Sequence, residues 1–387
     1  MLTLIENAEV YAPAPRGRQS LLLAFDRIAQ VGAVQRRAVE ALGLELEVID
    51  GSGCVVTPGF LDPHQHLLGG SGEDGFRTQT PEIAPSEIVR AGITTVVGCL
   101  GVDTTMKTMA GLLAKAKGLR EEGLSAYVWS GGYNVPPTTV LGSVREDILF
   151  LDEVLGAGEV AIADHRSLEP TPQELAKLVS DAHVGGLLSR KAGVTHFHVG
   201  EGEGRLRLLR ELLERYAIAP ACLYATHVER SEALMDEAIA LAARGAFVDL
   251  DTVEQDLHRW VGYYLDHGGD PAQLTVSSDA SISSPSTLGE QLRSLVTRHG
   301  YALEQVLPFV TTNTARVLKL DAQTGALEPG KQADLLVLRR ETLEPVEVIA
   351  RGRRLLREGR LVLRERFLEG SNRTIHLVGA RAGADRA

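Results

Sequence analysis

The sequence predicts a (β/α)8 TIM-like barrel with a small β-sandwich domain built from both chain ends. Between residues 58 and 321, eight short apolar segments alternate with helix-like stretches long enough for crossover connections. Before and after this region, short β-type segments recur that are too small for a core of their own. We therefore predict a barrel of residues 58–321, inserted into a composite β domain of residues 1–57 and 322–378.

The terminal segments carry the β pattern. Prolines in residues 10–15 interrupt one strand, residues 21–25 are apolar, and residues 44–51 alternate before a glycine turn. After the barrel, the pattern returns at residues 333–338, 346–350 and 355–357. We expect these strands to pair with the amino-terminal ones, and we expect residues 379–387, rich in alanine, glycine and arginine, to be frayed.

The barrel region divides into eight predicted strands: 60–66, 94–100, 126–130, 159–164, 195–199, 223–227, 246–250 and 274–278. The predicted helices are 106–122, 171–190, 204–216, 231–244, 286–300 and 303–320. Thr171 and Ser231 are typical N-cap residues, with acidic residues in the turn that follows. The alternative fold is a doubly wound open sheet. The glycine-rich stretch 69–72 lacks the spacing of its phosphate-binding turn, and no helix pattern follows.

The composition is that of a globular protein without a nucleic-acid or membrane partner. Of its 387 residues 44% are hydrophobic and 24% charged, and the formal net charge is −11, whereas phosphate binding needs a basic face. No apolar run of about 18 residues and no secretory signal pattern is present. The widely separated Cys54, Cys99 and Cys222 indicate buried free thiols in a reducing cytoplasm.

The clearest functional signal is a set of metal-ligating side chains at strand ends. His64 and His66 close the first barrel strand, and their i, i+2 spacing places both on one face. His198 and His227 end strands five and six, and Asp279 follows strand eight. In this fold the carboxyl ends of the strands meet at one mouth. Four imidazoles and a carboxylate there predict a site for two divalent ions, and the predicted metal is zinc.

Strand four supplies a candidate bridging carboxylate. Its alternation places Glu159, Ala161 and Ala163 on one face, where two small side chains leave room in front of the acid. We therefore predict that Glu159 bridges the two metals. Asp164 is the competing carboxylate, but the same alternation predicts that it points away.

Such a site predicts amide hydrolysis. Water shared by two zinc ions becomes a nucleophile near neutral pH, and Asp279 can accept its proton and pass it to a leaving amine. Tyr133, just past strand three, is the candidate that polarises the substrate carbonyl. No Gly-x-Ser-x-Gly motif supports a serine hydrolase.

Charged residues in the loops predict a small zwitterionic substrate. Arg166 follows strand four and Arg230 follows strand six, and two guanidinium groups at one mouth are suited to a carboxylate. Glu73, in the loop after strand one, is a candidate partner for an ammonium group. For each of the three, the alternative is an ordinary surface salt bridge.

Longer motifs resemble the bacterial isoaspartyl (β-aspartyl) dipeptidases of the amidohydrolase superfamily. The resemblance covers nearly the whole chain, and its most specific motifs are Asp-His-Arg-Ser at 164–167 and Thr-His-Val-Glu-Arg at 226–230. Further matching stretches are 58–67 with 72–73, 91–98, 132–136, 184–188, 197–200 and 277–279.

The resemblance implies hydrolysis of β-aspartyl dipeptides by a cytoplasmic homo-oligomer. It implies that Asp279 is both a ligand and the acid/base, that Tyr133 polarises the carbonyl, and that Glu73 binds the α-ammonium of the substrate. The implied zinc ligands are His64, His66, His198 and His227, and the implied carboxylate-binding residues are Arg166, Arg230 and Ser283.

Glu159 departs from this family, in which the matching position usually holds a lysine that CO₂ carboxylates. Glutamate already carries a carboxylate and requires no CO₂, but its arm is shorter, so strand four must lie closer or the metals must shift. Other superfamily branches are similar in using a glutamate bridge. Ala280 and Ile282 also make the following loop less glycine-rich than in the family.

Two other functions are compatible with part of this pattern. One is a cyclic amidohydrolase of the hydantoinase/dihydropyrimidinase type, but a neutral ring needs no clamp such as Arg166, Arg230 and Glu73. The other is a catalytically silent barrel that serves as an assembly scaffold. Such a scaffold has no need for metal-ligating residues at one mouth.

Overall fold

The structure, a computed structural model, describes residues 2–72 and 74–363 of the chain. The amino-terminal part confirms the predicted β pattern. It consists of β1 (Leu2–Tyr11), β2 (Pro15–Ala24), β3 (Arg27–Gly32), the short helix α1 (Arg36–Glu40), β4 (Leu46–Asp50) and β5 (Cys54–Pro58).

The next eight strands form a second sheet in which each strand pairs in parallel with its neighbours in the chain. They are β6 (Phe60–Gln65), β7 (Ile93–Gly98), β8 (Ser125–Ser130), β9 (Val154–Ile162), β10 (Thr195–Val199), β11 (Leu223–Thr226), β12 (Phe247–Asp251) and β13 (Leu274–Ser277). A bridge between Gln65 and Ala280 brings the first strand beside the last. The predicted barrel is therefore confirmed.

Helices connect the barrel strands. They are α2 (Pro85–Arg90), α3 (Met109–Glu122), α4 (Val144–Phe150), α5 (Pro172–Ser189), α6 (Arg207–Arg215), α7 (Glu232–Ala242) and α8 (Leu257–Asp266), followed after the barrel by α9 (Ser286–Thr297), α10 (Leu303–Val306) and α11 (Thr312–Val317). Short 3-10 helices occupy Phe76–Thr78, Pro220–Cys222, Val228–Arg230, Pro271–Gln273 and Leu307–Val310.

Local sequence signals explain where these helices begin and end. The Thr171 hydroxyl accepts a hydrogen bond from the backbone N–H of Glu174 at 3.3 Å, and the Ser231 hydroxyl caps α7 in the same way. The prediction of one helix over 303–320 is wrong in its middle, where a 3-10 turn separates α10 from α11. Pro308 lies in that turn and has no N–H to donate to a helical hydrogen bond.

The chain ends meet in one sheet, as predicted. Its carboxyl-terminal strands are β14 (Leu335–Arg339), β15 (Pro345–Ala350), β16 (Arg353–Arg357) and β17 (Arg360–Leu361). The sheet order is β17-β16-β15-β14-β5-β1-β2-β3, with β4 also paired to β1. The exact domain boundaries stay a prediction, and residues 364–378 of the predicted β domain lie outside the described residues.

Large apolar side chains fill part of the barrel interior. Trp129 of β8, Tyr224 of β11 and Phe247 of β12 form a cluster there with Val317 of α11. Among residues 2–72 and 74–363, no helix has both the length and the apolar character that a membrane crossing requires. The predicted homo-oligomer and cytoplasmic location stay predictions.

Candidate metal centre

Two histidines of the first barrel strand lie side by side at the mouth. His64 is on β6 and His66 directly follows it, and their ring centroids are 5.4 Å apart. Gly101, beyond β7, leaves room for the second ring, because a Cβ there would lie 2.7 Å from Cε1 of His66. His64 is fully buried, and neither of its ring nitrogens makes a hydrogen bond within the described residues.

Glu159 of β9 lies between two pairs of imidazoles. Its Oε2 atom is 3.2 Å from Nε2 of His64 and 3.8 Å from Nε2 of His66. Its Oε1 atom is 2.7 Å from Nδ1 of His198 and 3.4 Å from Nε2 of His227. Burial raises the pKa of this carboxyl, but the neighbouring imidazoles outweigh burial and hold the pKa well below its usual range. An anionic carboxylate that faces both pairs is suited to bridging.

Asp279 faces the same imidazoles from beyond β13. Its Oδ1 atom lies 3.3 Å from Nε2 of His64 and 3.1 Å from Nε2 of His66. Its Oδ2 atom lies 4.0 Å from Nε2 of His227. The structure therefore brings together all the residues that the sequence predicts as metal ligands: His64, His66, Glu159, His198, His227 and Asp279.

This donor set fits two divalent cations. Ligand atoms of His64, His66, Cys99 and Glu159 all lie within 4.8 Å of one another, and Glu159, His198 and His227 form a second such group. Both ring nitrogens of His64, Oε2 of Glu159 and Oδ1 of Asp279 are buried without a hydrogen-bond partner among the described residues. Each orphaned group costs about 1–3 kcal/mol, which bound cations would offset. Glu159 is common to both groups.

A carboxylate behind each of two histidines fixes the ring orientation. Oδ2 of Asp251 lies 2.6 Å from Nδ1 of His227, and Oδ2 of Asp164 lies 2.9 Å from Nε2 of His198. Such partners orient the rings of metal-binding histidines. Asp251 ends β12 and was missed by the sequence reasoning, because nothing in its local pattern indicates contact with His227.

The prediction that Asp164 points away from the site is wrong. β9 ends at Ile162, and Ala163 adopts a left-handed backbone with φ 51°. The alternation of side chains therefore stops before Asp164, which turns back to the mouth. The guanidinium of Arg166 donates to both of its oxygens at 2.8 Å, and this contact and that of His198 lower the carboxyl pKa against the effect of burial.

A cavity of about 440 Å³ opens above the metal ligands. Tyr133 lines it, and its hydroxyl lies 2.8 Å from Nδ1 of His198. Burial raises the pKa of the Tyr133 phenol well above its usual value, so the group keeps its proton. Asp279 lines the same cavity. A proton acceptor, Asp279, and a hydrogen-bond donor, Tyr133, therefore face the same space.

The predicted carboxylate-binding residues share this cavity. Arg166, Arg230 and Ser283 all line it. Arg230 pairs loosely with Glu201, at 3.4 Å, and the Ser283 hydroxyl oxygen is buried without a hydrogen-bond partner among the described residues. Glu73, predicted to bind an ammonium, lies outside the described residues.

Two further residues near the ligands were not predicted as part of the site. Cys99 is buried beside His66, whereas sequence reasoning placed it only among the structural thiols. Cys222 is buried as predicted, but Cys54 is only partly buried.

His196 is the second residue near the ligands. Its ring stacks on Trp129, with the ring centroids 5.4 Å apart. Its i, i+2 spacing to His198 on the same strand is the sequence signal that places both side chains on one face.

Sequence and structure comparisons relate the chain to known hydrolases. The sequence pattern of the amidohydrolase family matches residues 55–357. The β-aspartyl dipeptidase of thermophilic, keratin-degrading Fervidobacterium islandicum AW-1 is 37% identical, with a TM-score of 0.89 over 93% of this chain and 98% of that one. A structure of that enzyme with the β-Asp-Leu dipeptide is 35% identical, over 93% and 97% of the two chains, with the same TM-score of 0.89.

Two more distant relatives are enzymes with different names. An imidazolonepropionase of Sphingopyxis alaskensis is 24% identical over 348 residues, which are 81% of this chain and 85% of that protein. A D-hydantoinase (dihydropyrimidinase) of a Thermus species is 15% identical, with a TM-score of 0.63 over 94% of this chain and 97% of that one. At that identity, the likeness shows the fold alone.

Proposed function

Because the chain belongs to the amidohydrolase family, we propose that it is a metal-dependent dipeptidase that hydrolyses the isopeptide bond of β-aspartyl dipeptides. One observation carries this proposal. The cavity above the imidazole and carboxylate cluster is also lined by two arginines and by a serine hydroxyl without a partner among the described residues. A substrate there can place its amide at the cluster and its carboxylates at the rim.

The metals are proposed to be two zinc ions that share Glu159. His64 and His66 would hold one ion with Asp279, and His198 and His227 would hold the other. Divalent ions supply Lewis acidity, which lowers the pKa of water and polarises a carbonyl. Glutamate offers its carboxylate without prior carboxylation, so no CO₂ is required at this position.

Asp279 is proposed to move the proton. Its two oxygens face different imidazoles, and the side chain borders the cavity, so it can reach both a water and a leaving amine. As a carboxylate it accepts the proton of the attacking water, and it then donates that proton to the nitrogen of the breaking C–N bond. The products are free aspartate and the second amino acid.

Tyr133 is proposed to stabilise the carbonyl oxygen as it gains charge. Its protonated phenol is buried, contacts Nδ1 of His198 at 2.8 Å and faces the cavity. A hydrogen bond from a preorganised donor is stronger in the transition state than in the ground state, because the negative charge on the oxygen grows. The phenol therefore contributes to rate more than to substrate binding.

Arg166, Arg230 and Ser283 are proposed to bind the carboxylates of the dipeptide. Asp164 holds the Arg166 guanidinium in place through two hydrogen bonds, so this fork is ordered before substrate arrives. Within the described residues Arg230 makes one long contact, with Glu201 at 3.4 Å, so its guanidinium can turn toward an anion in the cavity. Glu73 is proposed, from the family resemblance, for the α-ammonium group.

A cyclic amide is the alternative substrate class, favoured by the imidazolonepropionases among the relatives at 24% identity. Initial rates on β-Asp-Leu, α-Asp-Leu, a hydantoin and imidazolonepropionate, with zinc and after chelation, separate the two. We expect zinc-dependent turnover of β-Asp-Leu alone. Turnover of only a cyclic substrate would refute the dipeptidase, and full activity after complete metal removal would refute metal dependence.

A further inference from the structure

We infer that the thiolate of Cys99 is a ligand of the metal held by His64 and His66, in addition to the ligands named above. The inference rests on the metal centre of the proposed function. It does not depend on the identity of the substrate.

The fold brings Cys99 to the metal-facing end of the second barrel strand. β7 ends at Gly98, and the backbone N–H of Cys99 then donates to the carbonyl of Gln65 at 2.9 Å. This bond ties the residue to the strand that carries the His-x-His pair. The side chain is 1% exposed and lies in the wall of the cavity.

The sulfur of Cys99 lies close to the donor atoms of the first site, which is the site of His64 and His66. Its Sγ atom lies 3.6 Å from Nδ1 and 4.0 Å from Nε2 of His66. Zinc–nitrogen bonds of about 2.0–2.1 Å and zinc–sulfur bonds of about 2.3 Å place neighbouring nitrogen and sulfur ligands roughly 3–3.6 Å apart in a four- or five-coordinate site. The nitrogen that faces Glu159 and Asp279 is Nε2, so Sγ needs to move only a few tenths of an ångström toward it. Donor atoms of His64, His66, Glu159 and Cys99 all lie within 4.8 Å of one another.

A second observation indicates that these donors await a ligand. Nε2 of His64 and Oε2 of Glu159 are in fully buried side chains, yet they make no hydrogen bond within the described residues. In the described part of the chain, the thiol itself has only weak contacts, such as that of Sγ with the Gln65 carbonyl at 3.5 Å. A cation that joins all of these atoms would satisfy them together.

Coordination by sulfur has a chemical consequence. The thiol releases its proton to solvent when it binds a metal, and the resulting thiolate is a soft ligand. A site with this ligand favours zinc, cadmium or cobalt over manganese and magnesium, which prefer oxygen. We expect Cys99 to set the metal preference of the first site.

The other two cysteines provide matched controls. Cys222 is also buried, but its sulfur contacts His183, 3.3 Å away, and is in no candidate ligand group of the described residues. Cys54 begins β5, a strand of the sheet that is formed by the two chain ends. Cys222→Ala and Cys54→Ala therefore remove a thiol without changing the metal centre.

The test loads the full-length protein with cobalt and records its near-ultraviolet absorption, in which a cobalt–thiolate bond has a charge-transfer band. We expect the band in the unmodified protein and in both control variants, and its loss in Cys99→Ser and Cys99→Ala. Zinc X-ray absorption of the unmodified protein should show a sulfur neighbour at about 2.3 Å. Zinc affinity should fall about 10- to 100-fold in Cys99→Ala, while manganese affinity changes little.

The outcomes separate this inference from the proposed function. Bound zinc and turnover of β-Asp-Leu without any sulfur neighbour would overturn the role of Cys99 and leave the dipeptidase intact. A sulfur neighbour without turnover of β-Asp-Leu would support the ligand and refute the substrate. Because X-ray absorption uses the unmodified protein, a variant that fails to fold does not affect the result.

Discussion

Nε2 of His64 and Oε2 of Glu159 lie 3.2 Å apart in the interior of the barrel mouth. Both side chains are fully buried, and within the described residues neither atom takes part in a hydrogen bond. Polar atoms left in this state destabilise a protein by about 1–3 kcal/mol each. We therefore expect a cation to complete the site in the active protein.

Glu159→Gln should lower the metal content, because an amide is a poor replacement for a carboxylate that faces two pairs of imidazoles. We expect about one metal per chain in place of about two, measured by elemental analysis after dialysis. Glu153→Gln is the control. It removes a buried acid just before the same strand, one that is paired with Lys117 and Arg120 instead of the histidines. Two tightly bound metals in Glu159→Gln would show that this residue does not bridge.

Asp279→Asn should lower kcat roughly 10²- to 10⁴-fold, because the amide cannot carry the proton from water to the leaving amine. Binding of β-Asp-Leu, measured by calorimetry, should persist. Asp236→Asn, which alters an acid that bonds to Tyr263 away from the site, should keep full activity. Normal turnover by Asp279→Asn would remove its proton-transfer role.

Tyr133→Phe should lower kcat by about 10²- to 10³-fold with little change in KM, because the lost hydrogen bond is strongest in the transition state. Tyr264→Phe is a matched variant, since this buried hydroxyl donates to the Asp270 carbonyl and does not line the cavity of the metal centre. We expect Tyr264→Phe to lower the free energy of unfolding by roughly 0.5–1.5 kcal/mol and to keep full activity. Equal kcat values for the two variants would exclude carbonyl stabilisation by Tyr133.

Arg230→Met should raise KM for β-Asp-Leu about 10- to 100-fold, which corresponds to the loss of one charge-assisted hydrogen bond. The matched control is Arg215→Met, because that arginine pairs with Glu211 and lies over the ring of Tyr216 at the end of α6, and lines no cavity with Asp279. Steady-state kinetics on both variants give the comparison. An unchanged KM in Arg230→Met would mean that its guanidinium does not contact the substrate.

Asp334→Asn should change how stability depends on pH. Burial raises the pKa of Asp334 to about 6, despite hydrogen bonds from the Arg351 N–H and the Thr324 hydroxyl. The folded chain therefore holds this proton more tightly than the unfolded chain. Its contribution to stability is present below about pH 4 and is lost as the pH rises through 6.

Urea unfolding of both proteins at about pH 4.5 and about pH 8 measures this effect. Between these values the wild type should lose about 2 kcal/mol relative to Asp334→Asn, because only the wild type must ionise a buried carboxyl. Parallel stability profiles would mean that Asp334 ionises as readily in the folded as in the unfolded chain.

The sequence could predict those site residues whose position depends only on the alternation of barrel strands and helices. His64, His198 and His227 follow from the rule that barrel strands end at one mouth, and each lies there. Asp164 could not be placed in this way, because the left-handed backbone of Ala163 ends the alternation one residue earlier. Asp251 was missed for another reason: its contact with His227 joins neighbouring strands, and no local pattern encodes it.

Anomalous diffraction at the zinc edge, from crystals grown with zinc, tests the metal centre most directly. We expect two peaks per chain, one on each side of the Glu159 carboxylate. One peak should lie among the side chains of His64, His66 and Asp279, and the other beside His198 and His227. The absence of any peak at the mouth, or peaks that Glu159 does not contact, would contradict the account.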